Sequence, residues 1–220
     1  MRRRYFIKKV ILFSLSLVIL KTKIMANSLF KPFNLVNGIF VNNYVSHKSS
    51  FKDFWRWRRE SSRPEPIAFP VVENDPEYLK SNKSEKTITW IGHSTFLLQI
   101  NGINILTDPH FTKRASPLTF MGPSRTTPPG LKIEELPFID FVLISHNHYD
   151  HLDSKTIQLL LKKQNVNQPT FFVPLKLRDI LSKLGARNVM EHEWWQMTQF
   201  KNLEIHSVPV QHWSKRTFND

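Results

Sequence analysis

Hydrophobic and polar positions alternate with a period of two over Thr87-Ile88-Thr89-Trp90-Ile91. A second apolar run, Phe96-Leu97-Leu98-Gln99-Ile100, is joined to Ile103-Asn104-Ile105-Leu106 through Asn101-Gly102. A period of two places successive side chains on opposite faces of a strand, and Asn-Gly accepts the positive φ angles of a two-residue hairpin turn, so the regular fold opens with antiparallel strands. The unbroken apolar run Phe141-Val142-Leu143-Ile144 predicts a buried strand. Ser154 caps a helix carrying Ile157, Leu159, Leu160 and Leu161, which residues 165–169 stop. Thr170-Phe171-Phe172-Val173 predicts the next strand, residues 175–184 a helix ended by Gly185, and Asn188-Val189-Met190 a short strand. Strand and helix therefore alternate, which predicts an α/β fold: a mixed sheet, parallel in its later strands and flanked by helices. Leu203-Glu204-Ile205-His206-Ser207-Val208 alternates once more and runs into Pro209-Val210-Gln211-His212-Trp213.

Ahead of this pattern the chain reads differently. Residues 1–9 are basic and residues 10–20 apolar apart from two serines, the order of a charged and then a hydrophobic segment in an export signal. A spanning helix needs roughly 20 apolar residues, so this run predicts a signal peptide ending near Ala26 or an uncleaved anchor, and an exported or membrane-associated chain. Residues 27–50 show no period and read as an irregular lead-in. Phe51-Lys52-Asp53-Phe54-Trp55-Arg56-Trp57-Arg58-Arg59-Glu60 interleaves aromatics and cations at helical spacing, as in a helix that caps the domain or rests on a phospholipid surface. Arg63-Pro64-Glu65-Pro66 breaks it, and residues 69–76 form a proline-punctuated connector. The organisation expected is a targeting segment at 1–26, an extension at 27–80 and a folded domain at 81–220.

Composition changes this picture in two places. Cysteine is absent, which removes disulfides and thiolate ligands and leaves His, Asp and Glu to bind any metal. The formal charge of +13 suggests nucleic acid until it is divided. Arg2, Arg3, Arg4, Lys8, Lys9, Lys21 and Lys23 account for seven of it, leaving +6 for the rest. The excess precedes the fold and no aromatic stacking strand accompanies it, so no nucleic-acid partner is expected.

The chemistry is concentrated in Ile144-Ser145-His146-Asn147-His148-Tyr149-Asp150-His151-Leu152-Asp153, directly after a buried strand. Imidazoles and carboxylates at this density suit zinc (Zn2+) or a similar divalent ion, and they exceed what one tetrahedral ion uses. Two neighbouring ions follow, His146 and His148 facing one while Asp150 and His151 turn toward another. Asp108 ends a strand and either holds a ligand histidine or shapes the turn before Pro109. His93 and His110 each sit at a strand end and either line the site or are hydrogen-bonded structure, ranking below the signature, and His206, on a strand, is read as structural. Residues 113–137 form a long loop suited to a lid or wall, whose Arg114 and Arg125 either receive a phosphate or remain solvated.

This stretch resembles the signature of the metallo-β-lactamase fold hydrolases. Trp90-Ile91-Gly92-His93-Ser94-Thr95, Leu106-Thr107-Asp108-Pro109, Arg114-Ala115-Ser116-Pro117, Gly122-Pro123-Ser124-Arg125 and Gln211-His212-Trp213-Ser214-Lys215-Arg216-Thr217 are similar to one branch, the N-acylphosphatidylethanolamine-hydrolysing phospholipase D group, over residues 51–220. The resemblance implies two zinc ions, with His212 as third ligand of the first beside His146 and His148. It assigns no metal role to Glu191-His192-Glu193-Trp194-Trp195, read as a structural turn. It also implies a phospholipid substrate at a membrane surface, cleaved to phosphatidic acid and an N-acylethanolamine. In the family a bridging aspartate and a further histidine come from a second αβ half, which these 220 residues do not contain. The expectation is therefore the N-terminal half of an αββα sandwich, with an exposed apolar face and an incomplete second site unless a second copy or a partner supplies the rest. Two other readings stay open: a lactonase or nucleotide phosphodiesterase of the same fold, and a non-catalytic membrane-anchored remnant.

Overall fold

The computed structural model describes residues 35–36, 38–42, 50–62, 72–118, 120–213 and 216. The expected signal or anchor at 1–26 and the proline break at 63–66 lie outside the described residues. Those within Ser49–Glu193 and His212–Asp220 make one compact unit, and those within Met1–Lys48 and Trp194–Gln211 make another.

The first unit is built on a six-stranded sheet of β3 (Thr87–Gly92), β4 (Thr95–Ile100), β5 (Ile103–Thr107), β6 (Phe141–Leu143), β7 (Thr170–Pro174) and β8 (Val189–His192), hydrogen-bonded in that order. The hairpin forms where Asn101-Gly102 predicts it, with φ of 52° and 74° at its two turn residues. β3, β4 and β5 are antiparallel, and β5 through β8 run parallel. Thr107, Leu143 and Phe172 stand side by side near the carboxyl ends of three parallel strands, so the loops after β5 and β6 leave the sheet together.

Cross-strand neighbours share a face, and the two faces differ. Leu97, Leu106, Val142, Phe171 and Val189 form a row in register, buried under α3 (Ser154–Lys163) and α4 (Arg178–Lys183) with Ile157, Leu160, Leu161 and Leu181. The other face is also apolar, with Ile88, Leu98, Ile105 and Phe141 in one row. At its β3 edge Ile88 and Trp90 are 75% and 50% exposed.

Several local expectations are corrected. Asp153 and not Ser154 caps α3: its Oδ1 accepts from the backbone N–H groups of Lys155 and Thr156. α4 begins at Arg178 because Lys176 takes a φ of 70°, which no helix admits. Glu191 and His192 belong to β8, and only the residues after them turn. Within the connector, Asp75 caps an unforeseen α2 (Pro76–Ser81), with Pro76 in its first turn. The helix over aromatics and cations is present as α1 (Phe51–Glu60), held by a reciprocal Ser50–Asp53 capping box. Its described side chains are all exposed.

In the second unit, β1 (Leu35–Val36) and β2 (Ile39–Phe40) pair across Gly38, at φ 80°, where no element was expected. β9 (Met197–Phe200), also missed, pairs with β10 (Leu203–His206) as a separate two-stranded sheet, so the last alternating run does not join the main one. Its pattern specified a strand but not which partner it would find.

Asp153 does more than cap. Its Oδ2 accepts from Thr112 N, Thr112 Oγ1 and Thr156 Oγ1 at 3.1, 2.7 and 2.6 Å, tying the long loop to α3 at a site 6% exposed. Asp153→Ala is expected to cost about 2–4 kcal/mol, a lost cap plus stranded buried donors, read as a lower urea midpoint at unchanged slope.

Candidate metal centre

The loop that leaves β6 begins Ser145-His146 and is fastened at once to the strand beside it. Asp108, one residue past β5, accepts from the Ser145 backbone N–H through Oδ1 at 2.7 Å and from the Ser145 hydroxyl through Oδ2 at 2.7 Å. Its own backbone sits at φ 35°, a left-handed conformation that Asp tolerates better than most residues. Both readings of Asp108, turn former and holder of a histidine, thus apply together: Oδ2 also meets His151 Nδ1 at 2.8 Å.

These contacts decide which ring nitrogens are free. The Ser145 hydroxyl has one hydrogen, and it goes to Asp108, so the 2.9 Å contact between Ser145 Oγ and His146 Nδ1 is donated by the ring. His146 Nε2 is then left with its lone pair. By the same logic His151 donates from Nδ1 to Asp108 and keeps a lone pair on Nε2.

Both free nitrogens point into clusters. His146 Nε2 lies 2.9 Å from His148 Nδ1 and 3.1 Å from His212 Nε2, and the last two are 3.3 Å apart. His151 Nε2 lies 3.3 Å from His93 Nε2 and 3.8 Å from Asp150 Oδ2, with His93 Nε2 and Asp150 Oδ2 at 2.9 Å. The two groups are neighbours, the His146 and His151 ring centres being 4.1 Å apart. Each triad can hold a cation. Nitrogens about 2.0–2.1 Å from a tetrahedral ion would lie roughly 3.3–3.4 Å from one another, close to the spacings in the all-histidine triad. That donor set suits zinc or another borderline divalent ion.

Charge supports this arrangement. Burial first, and then neighbouring His151, His148 and His212, together lower the pKa of His146 from 6.5 to about 4 against the pull of Asp108. The neutral, ligating form is therefore the resting one. Asp150 is pushed up by burial, but its own backbone N–H and the surrounding histidines prevail and keep it below the ordinary value. Burial pushes His151 down, and the Asp108 hydrogen bond and charge raise it overall.

The remaining sequence candidates fall in different places. His212 arrives from the far end of the chain, and Arg216 holds that segment to the loop by donating to the carbonyls of Asn147 and Leu152 at 2.9 and 2.8 Å and to Ser154 Oγ at 2.7 Å. The Arg216 guanidinium also stacks 4.1 Å over Tyr149. Arg114 donates to the Gly122 carbonyl at 2.6 Å and is not among the residues lining the cleft beside the second triad, whereas Arg125 is. His206 is exposed and pairs with Glu204 at 3.0 Å. Of the two readings open for His93, the structure favours the one that lines the site, since it completes the second triad. Its φ of 52° in the turn between β3 and β4 aims it there, and the residues Gly92-His93-Ser94 were the available signal.

The sequence profile described as a beta-lactamase superfamily domain matches residues 103–220, more than half of the chain. The chain belongs to the beta-lactamase superfamily. It is similar to an N-acyl-phosphatidylethanolamine-hydrolyzing phospholipase D from Caenorhabditis elegans, 37% identical over 142 residues, which are 60% of this chain and 39% of the worm protein. A mitochondrial enzyme of the same description from Saccharomyces cerevisiae is 38% identical over 136 residues, 60% of this chain and 28% of its own. An uncharacterized Mycobacterium tuberculosis protein is 38% identical over 161 residues, 72% of this chain and 42% of its own. This superfamily member thus matches less than half the length of these curated relatives.

The shifted histidines set a pH dependence for the metal-free chain. His146, His110 and His192 are all lowered, chiefly by burial, so between about pH 4 and 6.5 the unfolded state binds more protons and stability falls as pH falls. His151 is raised, so its contribution is present below 6.5 and lost as pH climbs through its folded value. Thermal melts in chelator should peak near pH 6.5; a melting temperature that climbs as pH drops toward about 5 would contradict the histidine environments described.

Proposed function

We propose that this chain carries the metal-binding part of a zinc-dependent phosphodiester hydrolase acting on N-acylphosphatidylethanolamine, with phosphatidic acid and an N-acylethanolamine as products. The observation that carries the reading is the pair of adjacent triads gathered around the loop after β6, each receiving a histidine oriented by Asp108. The likeness to two N-acyl-phosphatidylethanolamine-hydrolyzing phospholipases D supports the choice of substrate.

On this reading His146, His148 and His212 hold one ion and His93, Asp150 and His151 the other. Divalent ions bound there would supply Lewis acidity toward a phosphoryl oxygen and lower the pKa of the attacking water. Asp108 keeps both Nε2 lone pairs available, directly at His151 and through Ser145 at His146. Asp150 adds a negative charge that offsets part of the second ion's charge. Arg216 keeps the His212 segment against the loop, so that ligands more than 60 residues apart stay in register.

Two features of the chain fit a membrane substrate. Residues 1–26 have the pattern of an export signal or anchor, which would bring the chain to a membrane. α1 presents Phe51, Trp55 and Trp57 to solvent among Lys52, Arg56, Arg58 and Arg59, a composition suited to an anionic bilayer surface.

Metal analysis of the purified chain should give about two zinc equivalents and His212→Ala about one. Asp108→Asn should weaken zinc binding by roughly 10–100-fold, since the amide no longer fixes the two tautomers. With zinc restored, mixed micelles containing N-palmitoyl phosphatidylethanolamine should release N-palmitoylethanolamine. A chain that binds no zinc, or that binds two and releases nothing, would refute the assignment.

A further inference from the structure

A cleft of about 600 Å³ opens beside the second triad, sharing His93 and Asp150 with it. Two groups in its lining have unfilled bonding capacity. Arg125 is half-buried there, its Nε donating to the Thr127 carbonyl at 3.1 Å and its Nη1 to the carbonyl of His110. Both acceptors are neutral, and among the described residues no carboxylate pairs with this guanidinium. The negative charge that supports it is that of Asp153, whose oxygens are already taken by Thr112 and the start of α3. Burial accordingly lowers the Arg125 pKa, as expected for a cation whose countercharge is missing. Gly92 leaves room for this placement, because a β-carbon there would collide with Arg125 Nη2.

The second group is His110. It is 4% exposed, and neither of its ring nitrogens has a hydrogen-bond partner. A buried imidazole in that state forfeits its hydrogen bonds unless something else in the cleft supplies them. Its ring stands edge-on to His93 at 6.4 Å between centres, so the unsatisfied histidine, the unpaired arginine and the second triad adjoin one another.

We infer that Arg125 and His110 form an anion-recognising subsite in the cleft next to the second triad, one that selects a negatively charged phosphodiester over neutral esters and lactones. This rests on the hydrolase reading of the site and sharpens it. A guanidinium fixed by two carbonyls still presents its Nη2 edge to a phosphate oxygen, and an imidazole N–H adds a second donor from the cleft wall. A neutral carbonyl substrate would leave the cation without a partner, so the subsite discriminates by what it fails to satisfy as well as by what it binds.

The test uses the zinc-loaded 220-residue chain, with dimethyl phosphate as the binding probe, and with bis(4-nitrophenyl) phosphate and 4-nitrophenyl acetate as anionic and neutral substrates. Arg125→Gln should weaken dimethyl phosphate at least about tenfold by calorimetric titration, Arg125→Lys should fall between, and zinc content should not change in either. In hydrolysis, Arg125→Gln should lower kcat/KM for the phosphodiester by roughly 10–100-fold, mainly through KM, and alter the neutral ester less than about twofold. His110→Phe, which keeps the ring's bulk, should reproduce the charge-selective loss in weaker form. Equal losses on both substrates would mean that Arg125 only braces the loop, and unchanged dimethyl phosphate affinity would likewise overturn the subsite. If the parent chain hydrolyses neither substrate, the hydrolase reading fails, and the titration alone still decides the subsite.

Discussion

One carboxylate, that of Asp108, governs the chemistry of both triads. It joins the end of β5 to the loop after β6 through the Ser145 backbone and hydroxyl, and it takes the Nδ1 proton of His151. Because Ser145 can give its single proton only once, the same carboxylate also determines, one bond further on, that His146 donates from Nδ1. Two imidazoles therefore present lone pairs to two adjacent clusters by virtue of one buried anion. The parallel register of Thr107 with Leu143 makes this possible, since it brings the residues that follow the two strands to the same end of the sheet.

Five histidines, from two turns and the far end of the chain, crowd a small volume. At neutral pH such a cluster is tolerable only if most of its members are uncharged, and burial with mutual repulsion pushes His146 far down for that reason. Burial lowers His151 as well, but the hydrogen bond and charge of Asp108 raise it overall. The metal-free site thus combines neutral ligating imidazoles with one histidine whose Nδ1 proton Asp108 accepts. Divalent ions would replace proton bookkeeping of this kind with fixed charge, coupling metal binding to the stability of the loop.

The loop is short of regular structure, and its rigidity comes from elsewhere. Asp153 closes it at the start of α3 and draws in Thr112 from the long loop, while Arg216 grips two of its carbonyls from a segment beyond His212. Both devices satisfy backbone groups that a loop would otherwise leave to water. They also make the site depend on residues widely separated in sequence, which suits a centre whose ligands come from the turn after β3, the loop after β6 and residue 212.

Local pattern determined the elements and much of the chemistry. The Asn101-Gly102 hairpin, the alternation of strand and helix after residue 140, and the dense histidine stretch are all legible in the sequence, because each depends on neighbours within about ten residues. His93, by contrast, is ambiguous in the sequence, and only the bulge at the end of β3 and its left-handed backbone turn it toward Asp150 and His151. The tautomers of His146 and His151, the Arg216 grip and the unpaired state of Arg125 and His110 also lay beyond the sequence, being relations between residues that only the folded sheet brings within hydrogen-bonding distance. The partner of the Leu203–His206 strand was equally undetermined, since alternation specifies a strand's faces but not its neighbour. What the sequence settled is which residues can do chemistry; the tertiary structure settled which of them meet, because hydrogen bonds and ligand geometry act over about 3 Å and are blind to distance along the chain.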